Sequence, residues 1–194
     1  LLVCVVCLFA VFPFVWILST SFKPAAEIYK TPTLVPNDPT LEGYRSILMS
    51  SARQFDFKQW LSNSIVVAFI TTFFSLVIAS LGGYGLSRFR FGGRKMLSYS
   101  ILVTQVIPGS LLIIPLYVIM NTMGLINTLT ALVLAYTTFA LPFCTWMMKG
   151  FFDTIPKSLD EEAVMDGCGH FQTFLQIITP LTVPGLMATG LFSF

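Results

Sequence analysis

The chain has 194 residues, of which 55% are apolar and only 10% charged, and its formal net charge is +2. An ordinary soluble domain has roughly a quarter charged residues, so this composition suits lipid, and the small net charge excludes nucleic-acid binding through a basic face. Four runs contain no Asp, Glu, Lys or Arg, namely residues 1–22, 59–87, 96–148 and 167–194. Each run reaches the roughly 20 residues that a membrane-spanning helix needs.

Span one is predicted over about residues 1–21 and ends before Lys23, the first charge, which a proline follows. The next segment, about 23–58, contains four prolines and charges of both signs, so it should be mostly extended and turning. A short helix is predicted within it over 41–50, with Thr40 as its N-cap.

Span two is predicted over about residues 59–86 and carries small residues at every fourth position, which would let another helix approach closely. These residues are Ser75, Ala79, Gly83 and Ser87. The loop after it, 88–95, has four basic residues and no acid, so the positive-inside rule predicts that it is cytoplasmic. Alternation then places the segment 23–58 outside and the chain after residue 149 inside.

The run 96–148 is too long for one span and is interrupted by a polar, glycine-containing stretch at 121–128. It therefore predicts a helical hairpin made of spans three and four. Pro108 and Pro115 lie in span three and Pro142 in span four, where each proline removes a backbone donor and favours a kink.

The first four predicted spans contain no charged residue and no histidine, which argues against ion-driven transport. Their neutral polar groups are Asn63, Thr71, Thr72, Gln105, Tyr117, Tyr136, Thr137 and Thr138. A pathway for an uncharged, hydroxyl-rich solute could use such groups, and the candidates are Asn63, Gln105, Tyr117, Tyr136 and Thr137. The alternative for each is a hydrogen bond between helices.

No catalytic or metal-ligand cluster and no phosphate-binding glycine loop are found in the sequence. We therefore expect that the chain is not an enzyme and binds no cofactor or metal itself. If transport is driven by ATP, the ATPase must be another chain.

A cytoplasmic loop is predicted over about residues 153–183, and it begins with a short acidic helix. Ser158 is a suitable N-cap, Glu161 would complete a capping box, and Gly167 is placed to end the helix in a left-handed conformation. A second helical stretch follows over about 170–178. A short helix between two spans cannot bury itself in its own loop, so we expect it to dock into another protein.

The same loop resembles the permease signature of binding-protein-dependent ABC importers. It reads Glu161-Glu162-Ala163, three residues, Gly167, nine residues and Ile177-Ile178-Thr179-Pro180. The pair Asp166-Gly167 is similar to the Asp-Gly of the sugar-importing branch. Three residues depart from the family pattern. The family has alanine at the position of Glu162, usually alanine at that of Cys168, and leucine at that of Thr179.

Further pieces, in order along the chain, resemble the second permease subunit of maltose-type carbohydrate transporters. They are Ser21-Phe-Lys-Pro-Ala-Ala-Glu27, Asn63-Ser64, Tyr84-Gly-Leu-Ser-Arg88-Phe-Arg90-Phe-Gly-Gly93, Ile114-Pro115-Leu116 and Gly124-Leu125. The resemblance implies an all-α, polytopic bundle of the type I ABC importer permease kind, with one transmembrane domain over residues 1–194. Since the chain starts at Leu1 and stops at Phe194 within apolar sequence, we expect a fragment with about four complete spans and the start of a fifth.

The resemblance also implies partners and roles. Glu161, Glu162, Ala163, Asp166 and Gly167 would dock into an ATP-binding subunit, of which there would be two, each using ATP and Mg. A companion permease, an extracytoplasmic solute-binding protein and membrane lipid would complete a bacterial-type cell-membrane importer for a sugar or polyol, working by alternating access. The competing hypothesis is a secondary carrier or facilitator that works without an ATPase.

Overall fold

The computed structural model describes residues 2–28, 32–49 and 56–194, and these are helical wherever they form regular structure. The predicted all-α class is confirmed for this part of the chain. The chain divides into two compact units, Leu1–Ser62 and Asn63–Phe194. One permease domain over the whole chain stays a prediction.

The first unit contains α1 (Leu2–Ser21) and α2 (Glu42–Met49). The hydroxyl of Thr40 accepts a hydrogen bond from the amide of Glu42 at 3.1 Å, which confirms the predicted cap. Both internal gaps in the described residues fall within the predicted extracytoplasmic segment 23–58, so that segment is described only in part.

The third helix, α3, begins in the first unit and continues far into the second. The helices from there on are α3 (Phe57–Arg88), α4 (Arg94–Thr104), α5 (Gly109–Thr122), α6 (Leu129–Thr154), α7 (Ser158–Met165), α8 (His170–Thr173), a π-turn (Phe174–Ile178), α9 (Thr179–Leu181) and α10 (Val183–Ser193). The second helical stretch predicted over 170–178 is thus helical, with π-type bonding in its last five residues.

Two of the described helices, α3 and α6, are each long and apolar enough to cross a membrane. Two bent pairs, α4 with α5 at 98° and the helical run His170–Leu181 with α10 at 77°, raise the number of candidate spans to four if each pair is one span. The apolar run Val5–Ser21 in α1 is shorter than these candidates. α1 itself covers Leu2–Ser21, which is nearly the whole of predicted span one.

Span three is two helices and not one kinked helix. α4 ends at Thr104 and α5 begins at Gly109, with Pro108 extended at ψ 125° between them. Proline has no amide hydrogen and disfavours helical backbone in the residue before it, which explains the break. The prolines at 115 and 142 lie inside α5 and α6, and both helices continue through them.

The predicted hairpin between spans three and four is confirmed. α5 ends at Thr122 and α6 begins at Leu129, and the turn between them contains Gly124 at φ 66° and Asn127 at φ 62°. Glycine and asparagine are the residues that adopt this left-handed conformation at least cost. The hydroxyl of Thr128 caps α6 by accepting from the amide of Ala131 at 3.2 Å.

The core lies where the second half of α3 meets α6. The small-residue stripe of α3 is buried, as predicted, and a Cβ on Gly83 would lie 2.8 Å from the amide nitrogen of Lys149. Met148 and Phe152 of α6 are 0% exposed, and they pack in one cluster with Tyr84 and Phe174. Only glycine allows this approach of the two backbones, so the sequence of α3 fixes the point at which α6 crosses it.

Candidate functional site

The short helix α7, over Ser158–Met165, displays most of the predicted docking residues to solvent. Glu161 and Glu162 are exposed, as is Asp166 directly after the helix, whereas Ala163 is 3% exposed and faces the protein. In the described residues none of these three carboxylates has an ion-pair partner, and no group of three His, Cys, Asp or Glu is placed to hold a metal ion. These three side chains, which we call the acidic row of α7, are therefore accessible to a partner molecule.

Gly167 ends α7 in the predicted left-handed conformation, at φ 88°. The amide of Cys168 donates to the carbonyl of Ala163 at 2.9 Å, and the amide of Gly167 donates to the carbonyl of Val164 at 3.0 Å. These two bonds form a Schellman motif. A side chain at residue 167 would be strained by the positive φ, although nothing lies within 4 Å of the space it would enter.

The predicted capping box at the start of α7 is wrong. Lys157 occupies the N-cap position with helical φ and ψ, and it makes no side-chain cap. The amides of Asp160 and Glu161 both bond to the carbonyl of Lys157 at 3.1 Å. Since the helical turn has already begun before Ser158, its hydroxyl does not have the extended backbone that a capping residue needs. Glu161 is consequently not used for capping.

Asp160, which precedes the predicted docking residues, points into the protein and joins α7 to α3. Its Oδ1 accepts from the hydroxyl of Tyr84 at 2.8 Å, and its Oδ2 lies 2.9 Å from Nε of Arg88. The side chains of Arg88 and Asp160 are 6% and 18% exposed. Nη2 of Arg88 also donates to the carbonyl of Ile155 at 3.1 Å, so this arginine contacts both the start of α7 and the segment before it.

A second polar contact joins α3 to the end of α6. The hydroxyl of Ser87 donates to Oδ1 of Asp153 at 2.6 Å, and Nζ of Lys149 donates to Oδ2 of the same carboxylate at 2.5 Å. Lys149 and Asp153 are one helical turn apart on α6, the spacing at which opposite charges meet. The ends of α3 and α6 that the positive-inside rule predicts to be cytoplasmic therefore lie on the same side of the second unit.

Exposed apolar side chains surround the acidic row of α7. Met165 is 79% exposed and Val164 46% exposed, and Phe171 on the following helix is 66% exposed. A cavity of about 390 Å³ opens beside them between α3 and α7, and Glu161 and His170 are among its lining residues. Apolar and aromatic groups next to charged ones are typical of a protein-binding surface.

Three of the five predicted pathway residues converge on one cavity of about 650 Å³. Asn63 of α3, Gln105 between α4 and α5, and Tyr136 of α6 line it together with Thr71 and aromatic rings. Those rings include Phe139, Phe143 and Phe192, and the last two are stacked with centroids 4.2 Å apart. The cavity thus offers amide and hydroxyl groups beside ring faces, a combination that suits a sugar.

The other two predicted pathway residues lie elsewhere. Thr137 is 9% exposed and lines a separate cavity of about 470 Å³, which is otherwise mostly apolar. Tyr117 of α5 is 59% exposed and lines neither cavity. The sequence predicted that both residues lie in helices, but the direction of each side chain was decided by how α5 and α6 pack.

The contact of Tyr84 and Arg88 with Asp160 was not predicted from the sequence. One signal was present, because residues 84 and 88 are four apart on a predicted helix and so share a face. The carboxylate that they meet is 72 positions beyond Arg88 in the sequence. No spacing rule could pair them over that distance.

The chain matches the family model described as binding-protein-dependent transport system inner membrane component, over residues 77–194. It is similar to the diacetylchitobiose uptake system permease protein DasC of Streptomyces coelicolor, with 37% identity over 95% of this chain and 66% of that protein. The trehalose transport system permease protein SugB of Mycobacterium tuberculosis is 34% identical over 96% of this chain and 66% of its own length. The chain thus spans just under two thirds of the length of these curated relatives.

A further relative is the trehalose/maltose transport system permease protein MalG of Thermococcus litoralis, 34% identical over 100% of this chain and 68% of that protein. The fold is similar to that of a chain in the crystal structure of a bacterial ABC transporter involved in the import of the acidic polysaccharide alginate. That match has a TM-score of 0.79 at 24% identity and covers 99% of this chain and 66% of the other. This chain belongs to the family of binding-protein-dependent transport system inner membrane components.

Proposed function

We propose that the chain is part of the membrane-spanning permease subunit of an ATP-driven, binding-protein-dependent importer for a sugar or sugar-like polyol. One observation carries the proposal: α7 is held to the core on one face and presents an acidic face with no ion-pair partner among the described residues. The relatives' names support the solute class, because they specify diacetylchitobiose, trehalose and maltose.

The acidic face of α7 docks into a cleft of an ATP-binding subunit. Glu161, Glu162 and Asp166 are exposed and would pair there with basic side chains of the partner, while the exposed Met165 and Val164 supply apolar contact. Ala163 is small and buried, which allows α7 to pack closely against the rest of the protein. Gly167 ends the helix, so that the chain can turn back towards the membrane.

The remaining partners follow from the same proposal. Two ATP-binding subunits hydrolyse ATP with Mg, a companion permease completes the pathway, and an extracytoplasmic solute-binding protein delivers the solute. Closure of the ATP-binding subunits moves the docking helices and switches the pathway between outward-open and inward-open states. The solute contacts Asn63, Gln105 and Tyr136, whose amides and hydroxyl line one cavity.

The test is co-purification of the ATP-binding subunit with the tagged full-length permease, both co-expressed with the companion permease. Glu161→Lys reverses a charge on the proposed docking face, and Gly167→Asp adds a strained side chain at the helix end. We expect both variants to retain much less ATP-binding subunit than the unaltered protein. Glu42→Lys, the same reversal at an exposed acid of α2, is the control and should retain it fully.

The competing function, a carrier that works without an ATPase, predicts different results. No ATP-binding subunit would co-purify with the unaltered protein, and the purified permease would move trehalose or maltose across liposome membranes by itself. Either finding would overturn the importer proposal.

A further inference from the structure

The docking helix α7 is joined to α6 by the chain, yet its strongest polar contacts are with α3. Asp160 accepts a hydrogen bond from Tyr84 at 2.8 Å and pairs with Arg88 at 2.9 Å. The next residue, Glu161, is exposed on the other face. Two adjacent carboxylates on one short helix thus point in different directions, one into the protein and one towards a partner.

Apolar burial alone gives α7 little attachment. Ala163 is the one residue within α7 that is fully buried, and Leu159 is partly buried against the core cluster. Glu161, Glu162 and Met165 are exposed and Val164 is 46% exposed, so these residues add little apolar burial. The position of the helix therefore depends on its polar contacts.

Arg88 is placed to hold that position. Its side chain is 6% exposed, and it forms an ion pair with Asp160 and donates a hydrogen bond to the carbonyl of Ile155, just before α7. Removing either charge of a buried ion pair strands the other in a poorly solvated site. Because Arg88 is the last residue of α3, its positive charge also interacts favourably with the carbonyl end of that helix.

The end of α3 is in turn fixed to α6. Gly83 brings the two backbones together at Lys149, and Ser87 bonds to Asp153 at 2.6 Å. Contacts therefore connect α7 to the end of α3, and the end of α3 to α6.

We propose that the Arg88–Asp160 ion pair, supported by Tyr84, fixes the docking helix to α3, so that α7 and the cytoplasmic end of α3 move as one body. Arg88 and Asp160 are then positioning residues, which touch neither ATP nor solute. The inference rests on the proposed function, since it concerns movement that the ATP-binding subunits drive.

The experiment measures a distance in the full-length complex, with the four cysteines of this chain and any others in the complex replaced by alanine. Spin labels are attached at cysteines introduced for Phe91, just beyond α3, and for Met165 at the end of α7, which are 46% and 79% exposed. Distances are recorded without nucleotide and with ADP and vanadate trapped on the ATP-binding subunits. The distance in the otherwise unaltered complex should be the same in both states.

The single variants Arg88→Gln and Asp160→Asn should keep the ATP-binding subunit bound, because the face with Glu161 is intact. Trapping should now shift or broaden the distance distribution in both. Arg88→Lys, which retains the charge, and the double variant Arg88→Glu with Asp160→Arg should restore the constant distance. Arg90→Gln, which removes a charge two residues away at an exposed position, is the matched control and should behave as the unaltered chain.

Three results would overturn the inference. A distance that changes on trapping in the unaltered complex would show that α7 and α3 move separately. The single variants could keep a constant distance, or they could lose the ATP-binding subunit, in which case the pair shapes the docking face itself. Failure of the proposed function is distinguishable from all three, because no ATP-binding subunit would then co-purify with the unaltered permease.

Discussion

The C-terminal end and the middle of α3 differ in how their buried polar side chains are bonded. At the C-terminal end, Tyr84 and Ser87 donate hydrogen bonds to carboxylates of other segments, and Arg88 forms an ion pair with one of those carboxylates. In the middle, Thr71 and Ser75 are buried with hydroxyl oxygens that have no hydrogen-bond partner among the described residues. The hydrogen bonds from these side chains to other segments are thus concentrated at the C-terminal end of the helix.

The difference lies in the strength of the contacts. Hydrogen bonds to charged groups are about twice as strong as neutral ones and have a defined geometry, so those of Tyr84 and Ser87 fix the end of α3 against α7 and α6. The buried hydroxyls of Thr71 and Ser75 add no such bond among the described residues.

The largest expected effect comes from Gly83, which lies between Ser75 and Ser87 on the small-residue stripe of α3. In Gly83→Leu the new Cβ would lie 2.8 Å from the backbone nitrogen of Lys149, so α6 must move away from α3. We expect a loss of about 3 kcal/mol or more, the upper range for overpacking, seen as a large fall in monodisperse protein after detergent extraction. Thermal unfolding of whatever remains gives the size of the loss.

Gly82→Leu provides the matched control on the adjacent residue. A Cβ there would lie 3.5 Å from the side chain of Thr145, an ordinary contact, and no backbone atom is near it. This variant should be recovered almost normally. Equal losses in the two variants would mean that any large residue in this turn is harmful, and would remove the argument for a close backbone approach at Gly83.

A smaller effect is expected from substitutions of two serines in the small-residue stripe of α3. Ser87→Ala removes a donor from the carboxylate of Asp153 and should cost about 1.5–3 kcal/mol, as for hydrogen bonds to charged groups. Ser75→Ala removes a buried hydroxyl that has no partner and should be neutral or slightly stabilising. Both serines are 0% exposed, so burial does not distinguish them.

Thermal unfolding midpoints of the two alanine variants, measured in the same detergent, decide this comparison. The proposed contrast between the middle and the C-terminal end of α3 fails if Ser75→Ala is the more damaging change. Such a result would mean that Ser75 bonds to a group outside the described chain, for instance on a companion permease.

The smallest expected effects concern the larger cavity. Asn63→Ala and Tyr136→Phe each remove one neutral hydrogen-bonding group, worth about 0.5–1.5 kcal/mol, which corresponds to a roughly two- to tenfold rise in KM for the solute. Uptake by cells that express the complete importer measures KM, and co-purification checks that the ATP-binding subunit is still bound.

Tyr117→Phe is the control for that series. Tyr117 is also a membrane tyrosine, but it is 59% exposed and lines neither cavity. The importer that carries Tyr117→Phe should have an unchanged KM for the solute. If all three variants leave KM unchanged, the cavity is a packing gap between helices and the solute passes elsewhere.

Local features of this chain could be predicted where a short stretch of sequence contains all the atoms involved. Gly167 ends α7 because only glycine readily adopts φ 88°, and Thr40 caps α2 through a bond to an amide two residues away. The turn after α5 also follows from its own glycine and asparagine. The capping box predicted at Ser158 was wrong because it depended on where the preceding helical turn began.

The sequence by itself determined that the protein is apolar and helical and that its charges cluster between spans. It also determined that one acidic loop has the spacing of a docking signature. Hydropathy, charge and spacing are properties of the chain alone, so no tertiary contact was needed to find them. Only the tertiary structure decided which carboxylate of α7 points inwards. Asp160 and Glu161 are adjacent and chemically alike, and the choice between them came from Arg88 and Tyr84, brought within 3 Å by the crossing of α3 and α6 at Gly83.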